Sequence, residues 1–148
     1  MTPEEPFVVQ ATQGRAYRMP YGDDIRCIVA GAAAGERYSL HHRTAPPGAA
    51  SYPHSHQHTI EAFYVLDGQF DFEVGGQTFS AGAGAYVHVP PGVSHAWRVS
   101  GDSTAHAVVL FSPSVDDAFF AEVDEEVRSA GGPSRERLAA INARYGLD

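Results

Sequence analysis

Gly48-Ala-Ala-Ser-Tyr-Pro-His54-Ser-His56-Gln-His-Thr-Ile-Glu61-Ala-Phe-Tyr-Val-Leu-Asp-Gly68 and, further along the chain, Gly84-Ala-Tyr-Val-His-Val-Pro90-Pro-Gly-Val-Ser-His95 are the two most informative stretches of the sequence. To one predicted site the first stretch contributes His54, His56 and the carboxylate of Glu61, and the second contributes His95. Three imidazoles and one carboxylate suit a divalent transition metal. The sequence therefore predicts a metal site made of His54, His56, Glu61 and His95.

The spacing of these residues limits how the chain can bring them together. Side chains two apart on a strand share a face, so His54 and His56 can point at one ion. Glu61 has the opposite parity to His56, and it can join the same ion only if the strand breaks within Gln57–Ile60. We therefore predict a break at that point, followed by a new strand that starts at Glu61.

Turn residues mark the ends of several strands. Asp67-Gly68 lies between apolar residues and predicts a two-residue hairpin, and Gly75-Gly76 predicts a second one. Pro90-Pro91-Gly92-Val93 fits a type II turn, because proline is favoured at its second position and glycine at its third. This turn would direct His95 back toward the histidine pair.

Short β-prone segments separated by turn signals run through most of the chain, which is typical of a sandwich or barrel. The predicted strands are Phe7–Gln10, Ala16–Met19, Ile25–Ala30, Arg37–Thr44, Ala62–Leu66, Phe70–Val74, Gln77–Ser80, Ala85–Val89, Ala96–Ser100 and Ala105–Phe111. Two helices are predicted after Pro113: Asp116–Ala130, and a helix capped by Ser134 that continues through Tyr145. These helices could pack on the barrel as structure or could cover a pocket.

The composition limits the class of protein. A chain of 148 residues is long enough for one domain with a full core. The formal net charge of −8 argues against a nucleic-acid partner. The acidic N-terminus does not look like a secretion signal, and no apolar run reaches the roughly 18 residues of a membrane helix, so we expect a cytoplasmic protein without membrane contact. Cys27 is the only cysteine, and we expect it to be a small core residue.

The two stretches resemble the two conserved motifs of the cupins, which are small double-sheet jelly-roll barrels. The resemblance covers about Thr44 to Ser112. It implies a mainly β, single-domain fold over 1–148: a double-stranded β-helix over about 7–112 and a C-terminal helical segment over about 116–146. It also implies that the metal ligands are His54, His56, Glu61 and His95. Val99 departs from the family pattern, because an asparagine often stands at that position.

A narrower likeness is to bacterial quercetinase-type cupins and small cupin-type polyketide cyclases, carried by Glu61–Gly68, Val89–Gly92 and Leu110–Pro113. The first group implies a dioxygenase that acts on an aromatic, flavonol-like substrate, with Fe, Mn, Ni or Cu as the metal and Glu61 as a catalytic base. The second implies a cyclase that uses a metal such as Zn as a Lewis acid on a polyketide-like substrate. A binding protein without turnover is a third alternative.

The segment Phe7–Met19 could add an edge strand to its own sheet or to a neighbour's. The resemblance favours the neighbour's sheet and therefore implies a homodimer. Several further side chains carry expectations of their own. Three histidines could face the metal or the substrate: His58, His88 and His106. Two more are expected to be solvated: His41 and His42. Four aromatic residues are expected in the core, some of them lining a cavity: Phe63, Phe72, Tyr86 and Trp97.

Overall fold

The computed structural model describes residues 3–148 as two antiparallel sheets followed by two helices. The strands are β1 (Ala16–Arg18), β2 (Asp24–Val29), β3 (Ser39–Ala45), β4 (Ile60–Asp67), β5 (Gln69–Val74), β6 (Gln77–Gly82), β7 (Tyr86–Val89), β8 (His95–Val99) and β9 (Ala105–Ser112). A 3-10 helix at Gly31–Ala34 separates β2 from β3. One sheet has six strands in the order β1-β2-β3-β9-β4-β7, and the other has three in the order β6-β5-β8. This arrangement confirms the mainly β fold.

The core lies between the two sheets and is built by strict alternation of buried residues. Every second residue of β3 is buried, and the same is true of β9, because alternate side chains of a strand point to one face. Aromatic rings join the sheets at the centre: Phe63 of β4 lies 4.9 Å from Phe72 of β5, measured between ring centroids. Trp97 of β8 is buried beside them, so three of the four aromatic residues expected in the core are there. Tyr86 is not, since it is 62% exposed on the edge strand β7.

Nine of the ten predicted strands are present, and the first is wrong. Phe7–Gln10 has no strand structure, and the chain there turns on itself through a hydrogen bond from the Gln10 N–H to the Gln13 side chain. Val8 is 77% exposed, so the apolar residues that suggested a strand have no sheet to cover. The next part of the segment, Ala16–Arg18, pairs with β2 of its own chain. This edge strand therefore adds to its own sheet, and not to a neighbour's sheet as the resemblance favours.

The predicted hairpin at Asp67-Gly68 is also wrong, because β4 and β5 belong to different sheets. β4 already pairs with β9 on one side and with β7 on the other, so it has no free edge for β5. Gly68, at a φ of 79°, instead carries the chain across from one sheet to the other. The hairpin at Gly75-Gly76 is confirmed, since Val74 and Gln77 are paired on either side of it.

Both predicted helices are confirmed. Helix α1 spans Asp117–Arg128, and its cap residue Asp116 accepts a hydrogen bond from the Ala118 N–H. Helix α2 spans Arg135–Arg144, and Ser134 caps it by accepting from the Arg137 N–H. The helices pack against the open end of the six-stranded sheet through buried apolar residues: Phe119, Phe120, Val123 and Ile141. Within residues 3–148, no helix has the length and apolar character needed to cross a membrane.

Candidate metal centre and its cavity

Two short extended segments bring the three histidines of the predicted site together. One segment carries His54 and His56, and the other begins at His95. His54 forms an antiparallel bridge with His95, the first residue of β8, through N–H···O bonds of 3.0 and 2.9 Å. The turn at Pro90–Val93 has Gly92 at a φ of 76° and a bond from the Val93 N–H to the Pro90 carbonyl, as a type II turn requires. This turn is confirmed, and it places His95 beside His54 as predicted.

Glu61 reaches the same place through the expected break in the chain. The backbone bends at 57–58, and β4 begins at Ile60, so Glu61 points inward although its parity differs from that of His56. The Gly92 N–H donates to the His56 carbonyl at 2.7 Å, which fixes the bend against the turn that precedes β8. The four residues are thus gathered from three separate segments of the chain.

The carboxylate of Glu61 stands at the centre of the group. Its Oε2 lies 2.7 Å from His95 Nε2, 3.0 Å from His56 Nε2 and 3.9 Å from His54 Nε2. Each of the four residues offers one atom, and these atoms all lie within 4.8 Å of one another. Glu61 is 2% exposed. Three nitrogens and one oxygen at this spacing are a donor set that fits a single divalent transition metal.

Backbone carbonyls orient two of the imidazoles. His54 Nδ1 lies 2.9 Å from the Tyr52 carbonyl, and His95 Nδ1 lies 3.0 Å from the Val93 carbonyl. A carbonyl can only accept, so both rings donate from Nδ1 and direct Nε2, the nitrogen that would bind a metal, toward Glu61. Fixing the outer nitrogen in this way is how proteins orient metal-binding histidines.

The surroundings shift the pKa values of these groups in different directions. Burial lowers the pKa of His54 to about 4, so its imidazole is neutral at pH 7. Burial opposes the ionised form of Glu61, but hydrogen bonds and charge from His56 and His95 outweigh it and hold the pKa of this carboxyl well below its usual range. The pKa of His95 is raised, because the bond to Glu61 outweighs the effect of burial. The centre therefore holds a carboxylate whose negative charge is compensated by the surrounding imidazoles.

A cavity of about 260 Å³ opens onto His54, His56 and Glu61. Its walls are mostly apolar and aromatic, and they include Trp97 and Phe111 of the barrel. Both helices contribute to the walls, Phe119 and Phe120 from α1 and Leu138 from α2, so the helical segment closes the barrel as well as packing on it.

An arginine that the sequence analysis did not single out also lines this cavity. Arg43 of β3 is buried, and its Nε donates to the Asp23 carboxylate at 3.0 Å. Its guanidinium lies over the Trp97 ring, 4.8 Å from the centroid. Among residues 3–148 its Nη1 is buried and has no hydrogen-bond partner. The parity of β3 was the available signal, since Arg43 shares a face with the buried Ala45.

The remaining histidines lie elsewhere. His58 borders a separate small pocket beside Gly146, and His88 is exposed next to Tyr86. His106 of β9 bonds to His42 across the sheet, with 3.1 Å between ring nitrogens. None of these belongs to the cluster around Glu61 in the described part of the chain. The expectation that His41 is solvated is wrong, because its side chain is wholly buried.

Comparisons with known proteins agree with this architecture. Residues 41–111 match the Cupin domain family. The chain is 28% identical over 116 residues to quercetin 2,3-dioxygenase of Bacillus subtilis (strain 168), covering 78% of this chain and 34% of that protein. It is 30% identical over 80 residues to polyketide synthase CurC of Streptomyces cyaneus, covering 54% of this chain and 52% of that protein. The chain thus spans between a third and about half of the length of these curated relatives.

A solved structure extends the likeness to three dimensions. The polyketide cyclase RemF from Streptomyces resistomycificus superposes with a TM-score of 0.63 at 22% identity, over 74% of this chain and 80% of RemF. At that identity the match concerns the fold alone. Together with the match of residues 41–111 to the Cupin domain family and the two observed sheets, it shows that this chain has the cupin fold.

Proposed function

We propose that this chain is a metal-dependent cupin dioxygenase that acts on a small aromatic or polyphenolic, flavonol-like substrate. The observation that carries the proposal is the cavity, which places aromatic walls and a buried arginine directly over a cluster of three imidazoles and one carboxylate. The identity to a quercetin 2,3-dioxygenase supports the same reaction class.

The residues that would hold the metal are His54, His56, Glu61 and His95. Their donor atoms fit Fe, Mn or Ni, with Cu possible in the same set. When bound, the ion would supply Lewis-acid polarisation of a substrate oxygen and, if redox-active, a means of reaction with dioxygen. The second ring nitrogens of His54 and His95 are held by backbone carbonyls, so the protein presents these ligands in a fixed orientation.

Arg43 is the residue best placed to orient the substrate. A flavonol-like molecule carries neighbouring carbonyl and hydroxyl oxygens, and the guanidinium of Arg43, which lines the cavity, can donate to such an oxygen. Its Nε donates to Asp23, which holds the guanidinium in place. The aromatic walls, including Trp97 and Phe111, would bind the flat rings and exclude water.

Glu61 is proposed as the base that removes the substrate hydroxyl proton. It is the only carboxylate in the cluster, and it borders the cavity. A carboxylate in this position can accept a proton from a bound enol or phenol, and general-base catalysis of this kind contributes about 100-fold or more to a rate. Hydrogen bonds and charge from His56 and His95 keep it ionised before substrate binds.

A cupin-type polyketide cyclase is the second candidate, because the chain is 30% identical to polyketide synthase CurC over 80 residues. In that case zinc would suffice as a Lewis acid, and no dioxygen would be consumed. The dioxygenase is favoured because its relative matches 78% of this chain, against 54% for the polyketide synthase.

Elemental analysis combined with an oxygen-uptake assay on quercetin tests the proposal. We expect a redox-active metal in the purified protein and quercetin-dependent oxygen consumption. His54→Ala should abolish uptake, whereas His88→Ala, which removes an exposed histidine outside the cluster, should not. Zinc without oxygen uptake would move the assignment to the cyclase. If quercetin binds but is not turned over with any of these metals, the third alternative, a binding protein without enzymatic activity, would hold.

A further inference from the structure

A second group of metal-binding side chains lies at the junction of the six-stranded sheet and helix α1. Cys27 of β2 and His41 of β3 are directly paired across the two strands, and both are buried on the inner face. Asp117, the first residue of α1, lies against this pair. The sulfur, one imidazole nitrogen and one carboxylate oxygen all lie within 4.8 Å of one another.

His41 has an unusual environment for a histidine that serves only as packing. Its side chain is fully buried, and within residues 3–148 neither ring nitrogen has a hydrogen-bond partner. An unpaired buried polar group destabilises the fold, so such groups usually have a partner or a function. One of these nitrogens, Nε2, lies 3.6 Å from Asp117 Oδ1, which also lacks a partner in the same part of the chain.

The spacing of these two unpaired atoms matches that of two ligands on one ion. A separation of 3.6 Å is longer than a normal nitrogen–oxygen hydrogen bond. Two ligands at about 2.0–2.1 Å from a tetrahedral zinc ion lie roughly 3.3 Å apart. The other oxygen of Asp117 accepts a hydrogen bond from the Tyr17 hydroxyl at 2.7 Å, which orients the carboxylate as partners outside a metal site do.

We propose that Cys27, His41 and Asp117 form a second metal site that binds Zn²⁺, separate from the cluster around Glu61. Thiolate, imidazole and carboxylate are the three ligand types that zinc accepts, and three protein ligands leave one position for water. The Asp117 side chain is 31% exposed, so an ion can enter from that side. Burial raises the pKa of the Cys27 thiol to about 12, and zinc binding therefore displaces a proton to solvent.

An ion bound at the second site would also affect the cavity at the first site, because both involve helix α1. Zinc there would tie the start of α1 to β2 and β3, and α1 supplies Phe119 and Phe120 to the cavity wall. The Phe111 ring contacts an imidazole of each cluster, with centroids 5.5 Å from His41 and 5.3 Å from His56. The second ion would thus hold the cavity wall in place without touching substrate.

Cobalt substitution distinguishes the two sites, because only the second contains sulfur. A cysteine thiolate bound to Co²⁺ gives a sulfur-to-metal charge-transfer absorption in the near ultraviolet, which imidazole and carboxylate ligands do not. The full chain, stripped of metal and reloaded with Co²⁺ or Zn²⁺ alone, should bind two ions, one for each cluster, and show this band with cobalt.

Two variants separate the outcomes. Cys27→Ser should lower the metal content from two ions to one and remove the band, and Zn²⁺ should raise its melting temperature by less than that of the wild-type chain. His54→Ala should lower the content to one ion and keep the band. One ion per chain and no thiolate band in the folded, reloaded wild-type chain would overturn the second site while leaving the first untouched.

Discussion

Removing one partner of the buried Arg43–Asp23 ion pair tests how much stability this barrel loses when a charge inside it is left uncompensated. Both side chains are buried, with exposures of 8% and 0%, and their Nε–Oδ2 distance is 3.0 Å. Arg43→Met keeps much of the apolar stem over Trp97 but removes the charge that compensates Asp23. Breaking a buried pair by removing one partner costs about 3–5 kcal/mol, because the remaining charge is left uncompensated.

The free energy needed to protonate Asp23 sets an independent upper limit on the stability that the variant loses. Burial already raises the pKa of Asp23, and Arg43 acts against this shift. In the Arg43→Met variant, Asp23 can avoid being a buried, uncompensated negative charge by taking up a proton. Starting from an unfolded pKa of about 3.9, keeping it protonated at pH 7 costs roughly 4 kcal/mol, at 1.36 kcal/mol for each pH unit. At pH 5 the same step costs about 1.5 kcal/mol.

The sign of the pH dependence follows from which state holds the proton. In the folded variant Asp23 is protonated, and in the unfolded chain it is ionised above its usual pKa. Stability relative to wild type should therefore fall as pH rises from 5 to 7. We expect Arg43→Met to lose about 3–4 kcal/mol at pH 7 and about 1.5 kcal/mol or less at pH 5.

Urea unfolding followed by circular dichroism at the two pH values measures this difference. The matched control is Arg43→Met combined with Asp23→Asn, which removes both charges and keeps the shape of the acidic side chain. The double variant should regain most of the lost stability and lose the pH dependence. A single variant that costs less than about 1 kcal/mol at pH 7, or the same at both pH values, would refute the reasoning.

Three further predictions concern the metal centre and the assembly. His54→Ala and His95→Ala should each lose most of the metal at the first site by elemental analysis, with the barrel still folded by circular dichroism; full occupancy in both would exclude these ligands. Glu61→Gln should lower turnover at least ~100-fold at equal metal content, and unchanged turnover would reduce Glu61 to a structural ligand. We propose a homodimer, so light scattering should give twice the chain mass of 15.9 kDa; the mass of a single chain would contradict it.

The arrangement of the first cluster could be predicted because it depends on local rules. Parity along an extended segment puts His54 and His56 on one face, and a bend places Glu61 beside them. The proline-glycine turn before β8 sets the direction of His95. Each of these steps involves only a few neighbouring residues, and the structure brings the four side chains together as those steps require.

The failed hairpin at Asp67-Gly68 shows where local rules stop. The dipeptide is typical of a two-residue turn between paired strands. Whether the flanking strands pair depends instead on the edges of β4, and both edges are taken by strands that lie later in the chain. Edge occupancy is a property of the whole sheet, so no signal within a few residues of Gly68 could have shown it.

The inner face of β3 was misjudged for a different reason, and that reason bears on function. The sequence predicts that His41 is solvated and does not single out Arg43, since an imidazole and a guanidinium are rarely buried without partners. Their carboxylate neighbours are Asp117, beside His41, and Asp23, beside Arg43, and both lie far from them along the chain. Pairing of this kind is visible only once the fold is formed. Local patterning therefore fails at polar positions that line the cavity or the second cluster, which is where natural proteins most often give up stability for function.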